Sequence, residues 1–131
     1  MSDPEHARLL LDMAAKDFRA LQGMMDAEVF ADSIFCFHAQ QTVEKTLKAW
    51  CSFAGISYPR THDLERLLRL LQDGGVQLPE EFVSLADLTD YAVQYRYEST
   101  DVGLGPVDRE QICSSVGKVV GHMGRLVKDD A

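Results

Sequence analysis

"FHAQQTVEKTLKAW", residues 37–50, is a run of strong helix formers with neither Gly nor Pro. At ~100° per residue, Ala39, Val43, Thr46, Leu47, Trp50 and Ala54 form one broad apolar side. His38, Gln41, Lys45 and Lys48 fall on a narrow strip opposite, at offsets of three, seven and ten residues. Periodicity alone makes the strip a solvated face with ordinary surface charges. Ile34 and Phe37 flank the strip, which implies that its N-terminal part is covered by another element or another subunit.

Around this segment nothing alternates with the period of two that a half-buried strand needs. Helical segments emerge instead. Asp3 caps a first helix with Pro4 at its first position, and Ala7, Leu11, Ala14, Phe18, Leu21 and Met25 follow at spacings of four and three. Helix two runs from about Phe30 to Ala54 and stops at Gly55. Thr61 or Asp63 caps a third helix, "LERLLRLLQD", which Gly74 and Gly75 end. Pro79, with Glu80 and Glu81 in the first turn, starts a fourth helix that continues through "SLADLTDYAVQYRY". Pro106 opens the last, with Ile112, Val116, Val119, Val120, Met123 and Leu126 on one side. The expected architecture is all-α: an up-and-down four-helix bundle with an additional short helix, one domain over residues 1–131.

Two features do not follow from packing alone. The last helix carries Gly117, Gly121 and Gly124, each costing about 1 kcal/mol relative to alanine, so close approach by another helix is expected there. On helix four, Leu85, Leu88, Ala92 and Tyr95 mark the buried side, and Arg96 falls nearly in line with them. A guanidinium so placed must be paired or must open onto a cleft. Its partners would be Glu44, Asp63 or Asp90 in a structural ion pair, or a phosphate or carboxylate in a binding site.

The composition narrows the functions. A net charge of −8 provides no global attraction to phosphate backbones or anionic membranes. Cys36, Cys51 and Cys113 form no CxxC, and the first two stand about 22 Å apart along one helix, so buried thiols in a reducing, cytoplasmic setting are expected. No apolar run reaches membrane-spanning length. His6, His38, His62 and His122 lack the spacing of a metal site, and neither a P-loop nor GxGxxG is present, so no metal or cofactor is expected. Charge is distributed unevenly. Residues 45–69 hold Lys45, Lys48, Arg60, Arg66 and Arg69 against Asp63 and Glu65, whereas residues 70–110 hold nine acids against Arg96 and Arg109. The basic region adjoins the helix-two strip and suits a nucleotide phosphate.

Three separated motifs, "FHAQQTVEKTLKAW", "YPRTHDLERLL" and "LTDYAVQYRY", occur in an order that resembles the HEPN domain family over about residues 5–127. The resemblance implies a helical, commonly dimeric protein that binds a nucleotide or RNA. It also implies a separately encoded minimal nucleotidyltransferase as partner, as in toxin–antitoxin pairs. Gln41, Glu44, Lys45 and Lys48 match the family's helix-two signature, His62 and Asp63 its "THDL" turn, and Arg96 with Tyr97 its arginine–tyrosine pair. With His38 of the strip added, the ligand-binding set expected is His38, Gln41, Lys45, Lys48, His62, Arg96 and Tyr97. Family ribonucleases carry a histidine after that arginine, where this chain has Asp101, Val102 and Gly103. That departure favours an accessory binding subunit. The alternatives are a divergent ribonuclease using Arg96 with Asp101 or another nearby group, and a non-catalytic dimeric interaction module.

Overall fold

The computed structural model describes residues 2–90 and 107–129. Helices α1 (Pro4–Gln22), α2 (Asp32–Ala54) and α5 (Arg109–Asp129) are long, α3 (Leu64–Asp73) is shorter, and α4 (Glu80–Val83) is a single turn followed by a 3-10 segment, Ser84–Leu88. The bundle expected from the sequence is therefore present, all-helical among the described residues. Tyr91 to Pro106, and with them Arg96, Tyr97 and Asp101, lie outside those residues.

Helix α2 is the axis. No residue from Asp32 to Phe53 is exposed, because α1, α3 and α5 all pack on it. The Asp3 backbone N–H donates to the Ser52 carbonyl at 2.8 Å, which sets the start of α1 against the end of α2. The two helices are thus antiparallel. At the other end, Arg109 at the start of α5 meets Asp32 at the start of α2, so α5 runs parallel to α2. Phe35, Val43, Leu47, Leu64, Leu67, Leu71, Val116 and Met123 fill the space between them.

Local chemistry explains the boundaries. Asp3 accepts from the His6 backbone N–H, and Asp63, rather than Thr61, caps α3 by accepting from Glu65 and Arg66. The Thr61 hydroxyl instead accepts from the Asp63 backbone N–H. Gly55 ends α2 at φ 76°, a left-handed conformation that a side chain disfavours. Helix α1 stops at Gln22, so Met25, the last apolar residue of its spacing, stands beyond the helix and is exposed. The last helix begins at Arg109, after the Asp108 carboxylate accepts from the Gln111 N–H, and not at Pro106.

The fourth helix departs most from expectation. Phe82, Leu85 and Leu88 are all buried and are spaced by three. A 3-10 turn places residues i and i+3 on one line, whereas an α-helix would rotate them off the core by about 60° per step. The segment takes the tighter winding, and the Thr89 hydroxyl accepts from the Leu64 N–H to fasten it to α3.

Of the three glycines on α5, only Gly117 is explained by close packing. A Cβ there would stand 2.8 Å from the Phe18 ring of α1, whereas at Gly124 it would meet nothing among the described residues. Gly124→Ala is therefore expected to raise the unfolding free energy by about 0.5–1 kcal/mol in a denaturant titration. All three cysteines are unbridged, with Cys36 and Cys51 buried. Burial pushes the Cys51 thiol up to about 11.

Candidate polar site on the central helix

The four residues of the strip are each half-buried, not solvated. Lys45 reaches across to Asp17 of α1 in an ion pair. His38 lies edge-on to the Phe37 ring with centroids 5.7 Å apart. Its carbonyl accepts from the Thr42 hydroxyl, as Thr42's carbonyl does from Thr46. Lys48 turns the other way, to Glu44, at 3.0 Å. Gln41 donates to the Gln40 side-chain oxygen at 2.7 Å.

What organises the chemistry is Glu44, one row away from the strip. Its side chain is only 7% exposed and takes three donors. Lys48 Nζ lies 3.0 Å from Oε2, His62 Nδ1 2.8 Å from Oε1, and Gln40 Nε2 3.1 Å from Oε1. The Gln40 amide also donates to the His62 carbonyl at 2.9 Å. Helix α2 and the turn before α3 are thereby locked together at both the side chain and the backbone of His62.

Two opposed effects set the protonation of Glu44. Burial alone would raise its pKa, but the hydrogen bonds from His62, Lys48 and Gln40, with the Lys48 charge, outweigh it and hold the carboxyl below its usual 4.5. At neutral pH it is a carboxylate, an acceptor only, so His62 must carry its proton on Nδ1. The imidazole is thus fixed in one tautomer, 46% exposed, beside an ammonium. A carboxylate-anchored histidine of this kind can hold an anion when charged, or exchange a proton when neutral.

The surroundings of the cluster are asymmetric. Toward α3 and the 3-10 segment, a pocket is lined by Asp63, Glu65, Asp87 and Asp90. In the other direction Lys48 lies over the Tyr58 ring, 6.0 Å from its centroid. The basic stretch is also partly neutralised from within: besides Lys45 and Lys48, Arg69 pairs with Glu65 at 2.8 Å. Arg60 and Arg66 are exposed.

Of the ligand-binding set expected from the sequence, the structure brings Lys48 and His62 together on Glu44 and joins Gln41 to them through Gln40. Lys45 and His38 stand apart, and Arg96 and Tyr97 lie outside the described residues. Gln40 was missed as a site residue. Its signal was its position four residues before Glu44, one helical turn, on a helix whose neighbouring positions are apolar.

Among the described residues, Arg109 is a buried arginine. Its guanidinium donates to the carbonyls of Met24 and Phe30 and to Asp32 at 2.9 Å, and it lies 4.9 Å from the Phe35 ring centroid. It is a structural clamp between α5 and the 23–31 connection. A groove of about 740 Å³ between α1, α4 and α5 is lined by Phe18, Phe82, Gly117, Gly121 and His122. Among the described residues, none of the expected site residues lines it.

A family model described as "HEPN domain" matches residues 7–127, nearly the whole chain. No curated protein and no solved structure matches the chain significantly.

Proposed function

The chain belongs to the HEPN domain family, and on that premise we propose that it is a nucleotide- or RNA-end-binding subunit. Its ligand meets the protein at the Glu44–His62–Lys48 cluster, and it works as a homodimer with a separately encoded minimal nucleotidyltransferase. The observation that carries the reading is the Glu44 carboxylate, which holds a half-exposed imidazole and an ammonium side by side. Two cationic donors offset by one buried carboxylate leave a net positive charge whenever His62 is protonated. A terminal phosphate supplies the matching anion and favours that protonated form.

The acidic flank of Asp63, Glu65, Asp87 and Asp90 repels a phosphate and directs it toward Lys48. The same flank suits a basic protein partner. The chain itself contains no sequence pattern for phosphate cradling or paired metal carboxylates, so transfer chemistry is assigned to the partner.

Thermal unfolding of the purified chain with and without a nucleoside monophosphate tests the reading. Saturating ligand is expected to raise Tm by a few degrees in the wild type, and Lys48→Ala is expected to abolish the rise. An equal rise in the variant, or no rise in the wild type, would remove the cluster as the ligand site.

A second reading, divergent ribonuclease, is favoured by the same fixed imidazole. In the neutral imidazole, Nε2 can take the 2′-hydroxyl proton as that oxygen attacks the adjacent phosphorus, and the 5′-oxygen leaves as it takes a proton from water. RNA cleavage that disappears in His62→Ala with the fold intact would establish it in place of the first.

A further inference from the structure

The polar surface does not stop at Lys48. Beyond it stands Tyr58, in the connection between α2 and α3, with its ring under the Lys48 ammonium at 6.0 Å. Its hydroxyl lies 3.3 Å from Nε2 of His6, one turn into α1. The Asp3–Ser52 backbone bond fixes the start of α1 to the end of α2, so His6 and Tyr58 are held against the same end of the central helix. Between them opens a pocket of about 240 Å³ lined by Asp3, His6, Ser52, Gly55, Ile56 and Tyr58. Sequence reading assigned no role to Tyr58 or His6 beyond the metal spacing that His6 fails to meet.

Resting on the nucleotide-binding reading above, we propose that Tyr58 and His6 form a second subsite of the same surface. The ligand is then a single strand of at least two nucleotides rather than a mononucleotide. Three observations lead there. Lys48 Nζ lies 6.0 Å from the Tyr58 ring centroid and the Tyr58 hydroxyl a further 3.3 Å from His6 Nε2, against ~3.4 Å per stacked nucleotide. The surface is thus longer than one nucleotide.

The pocket volume lies below the ~300–1,000 Å³ typical of sites that enclose a whole small molecule; it suits one base or ribose of a longer ligand. The order of groups is also that of a strand binder: a cationic pair at one end, then an aromatic ring, then a second imidazole. His62 and Lys48 take the terminal phosphate, the Tyr58 ring offers a stacking surface to the base of the second nucleotide, and His6 stands where the next phosphate passes. The one carboxylate lining the pocket, Asp3, already accepts from the His6 backbone N–H.

The test is binding of a 5′-phosphorylated tetraribonucleotide and of the matching nucleoside monophosphate to the full chain, followed by competition against a labelled oligomer. The wild type is expected to bind the tetramer about tenfold or more tightly than the monophosphate. Tyr58→Leu is expected to erase that advantage and leave monophosphate binding unchanged, while Tyr58→Phe, which keeps the ring, retains it. His6→Ala, an exposed change that leaves Tyr58 in place, is expected to reduce the advantage in the same direction. Equal affinities for the two ligands in the wild type would overturn the second subsite and leave the first standing. So would a Tyr58→Leu chain that weakens both ligands alike, because the tyrosine would then be serving the fold. Absence of binding by either ligand would overturn the nucleotide-binding reading and this inference with it.

Discussion

Arg109→Ala is expected to lower the unfolding free energy by about 3–5 kcal/mol, a large part of the ~5–15 kcal/mol available to a domain of this size. The guanidinium side chain is 7% exposed, and its removal leaves two carbonyls and Asp32 facing a void beside Phe35. Arg109→Lys is expected to recover little. One ammonium cannot reproduce the planar fork that reaches Met24, Phe30 and Asp32 together. Urea unfolding followed by fluorescence of Trp50, the single tryptophan, measures both. An Arg109→Ala midpoint close to that of the wild type would show that the connection 23–31 is held by other contacts.

Glu44→Ala should be the second most damaging change, and it should act on both stability and ligand binding. It removes the shared acceptor of Gln40, Lys48 and His62, and hydrogen bonds to a charged group contribute ~1.5–3 kcal/mol each. Lys48 and His62 can turn to water, so the net loss is set at about 2–3 kcal/mol. Ligand-induced stabilisation should vanish as well, because the carboxylate that holds Lys48 and His62 side by side is gone.

The pH dependence has a definite sign. The folded carboxyl titrates below its unfolded value of 4.5. Its contribution is therefore complete above that value and is lost as pH falls through the folded pKa. The wild type should weaken as pH drops from about 5, and Glu44→Gln should be less stable at neutral pH but show a shallower acid slope. An unchanged acid slope in Glu44→Gln would mean that other carboxylates dominate.

The helices were legible because their signals are local. Asp3, Pro4, Gly55 and Asp63 act through the backbone within a turn, and the apolar spacing of α1 and α2 survives in the packing. The winding of residues 84–88 was harder to read. Leu85 and Leu88 fit an α-helix at three apart, and only with Phe82 included does the strict period of three show. The site was half legible for a related reason. Lys48 and Glu44 stand one turn apart in the sequence, but the bond from His62 depends on where the 55–63 connection returns to α2, and that is a tertiary fact.

Arg109 shows the same limit. Its partners, Met24, Phe30 and Asp32, are some 77–85 residues distant, and two of them are backbone carbonyls without any sequence signature.

The most direct test of the central claim, that the Glu44-anchored imidazole is where the ligand meets the protein, follows the four histidine side chains by NMR. A 5′-phosphorylated oligoribonucleotide is titrated into isotopically labelled chain. The expected result is a saturable shift of the His62 imidazole, with His122, in the groove between α1, α4 and α5, unmoved. Saturable binding that leaves His62 stationary, or that moves His122 instead, would contradict the claim.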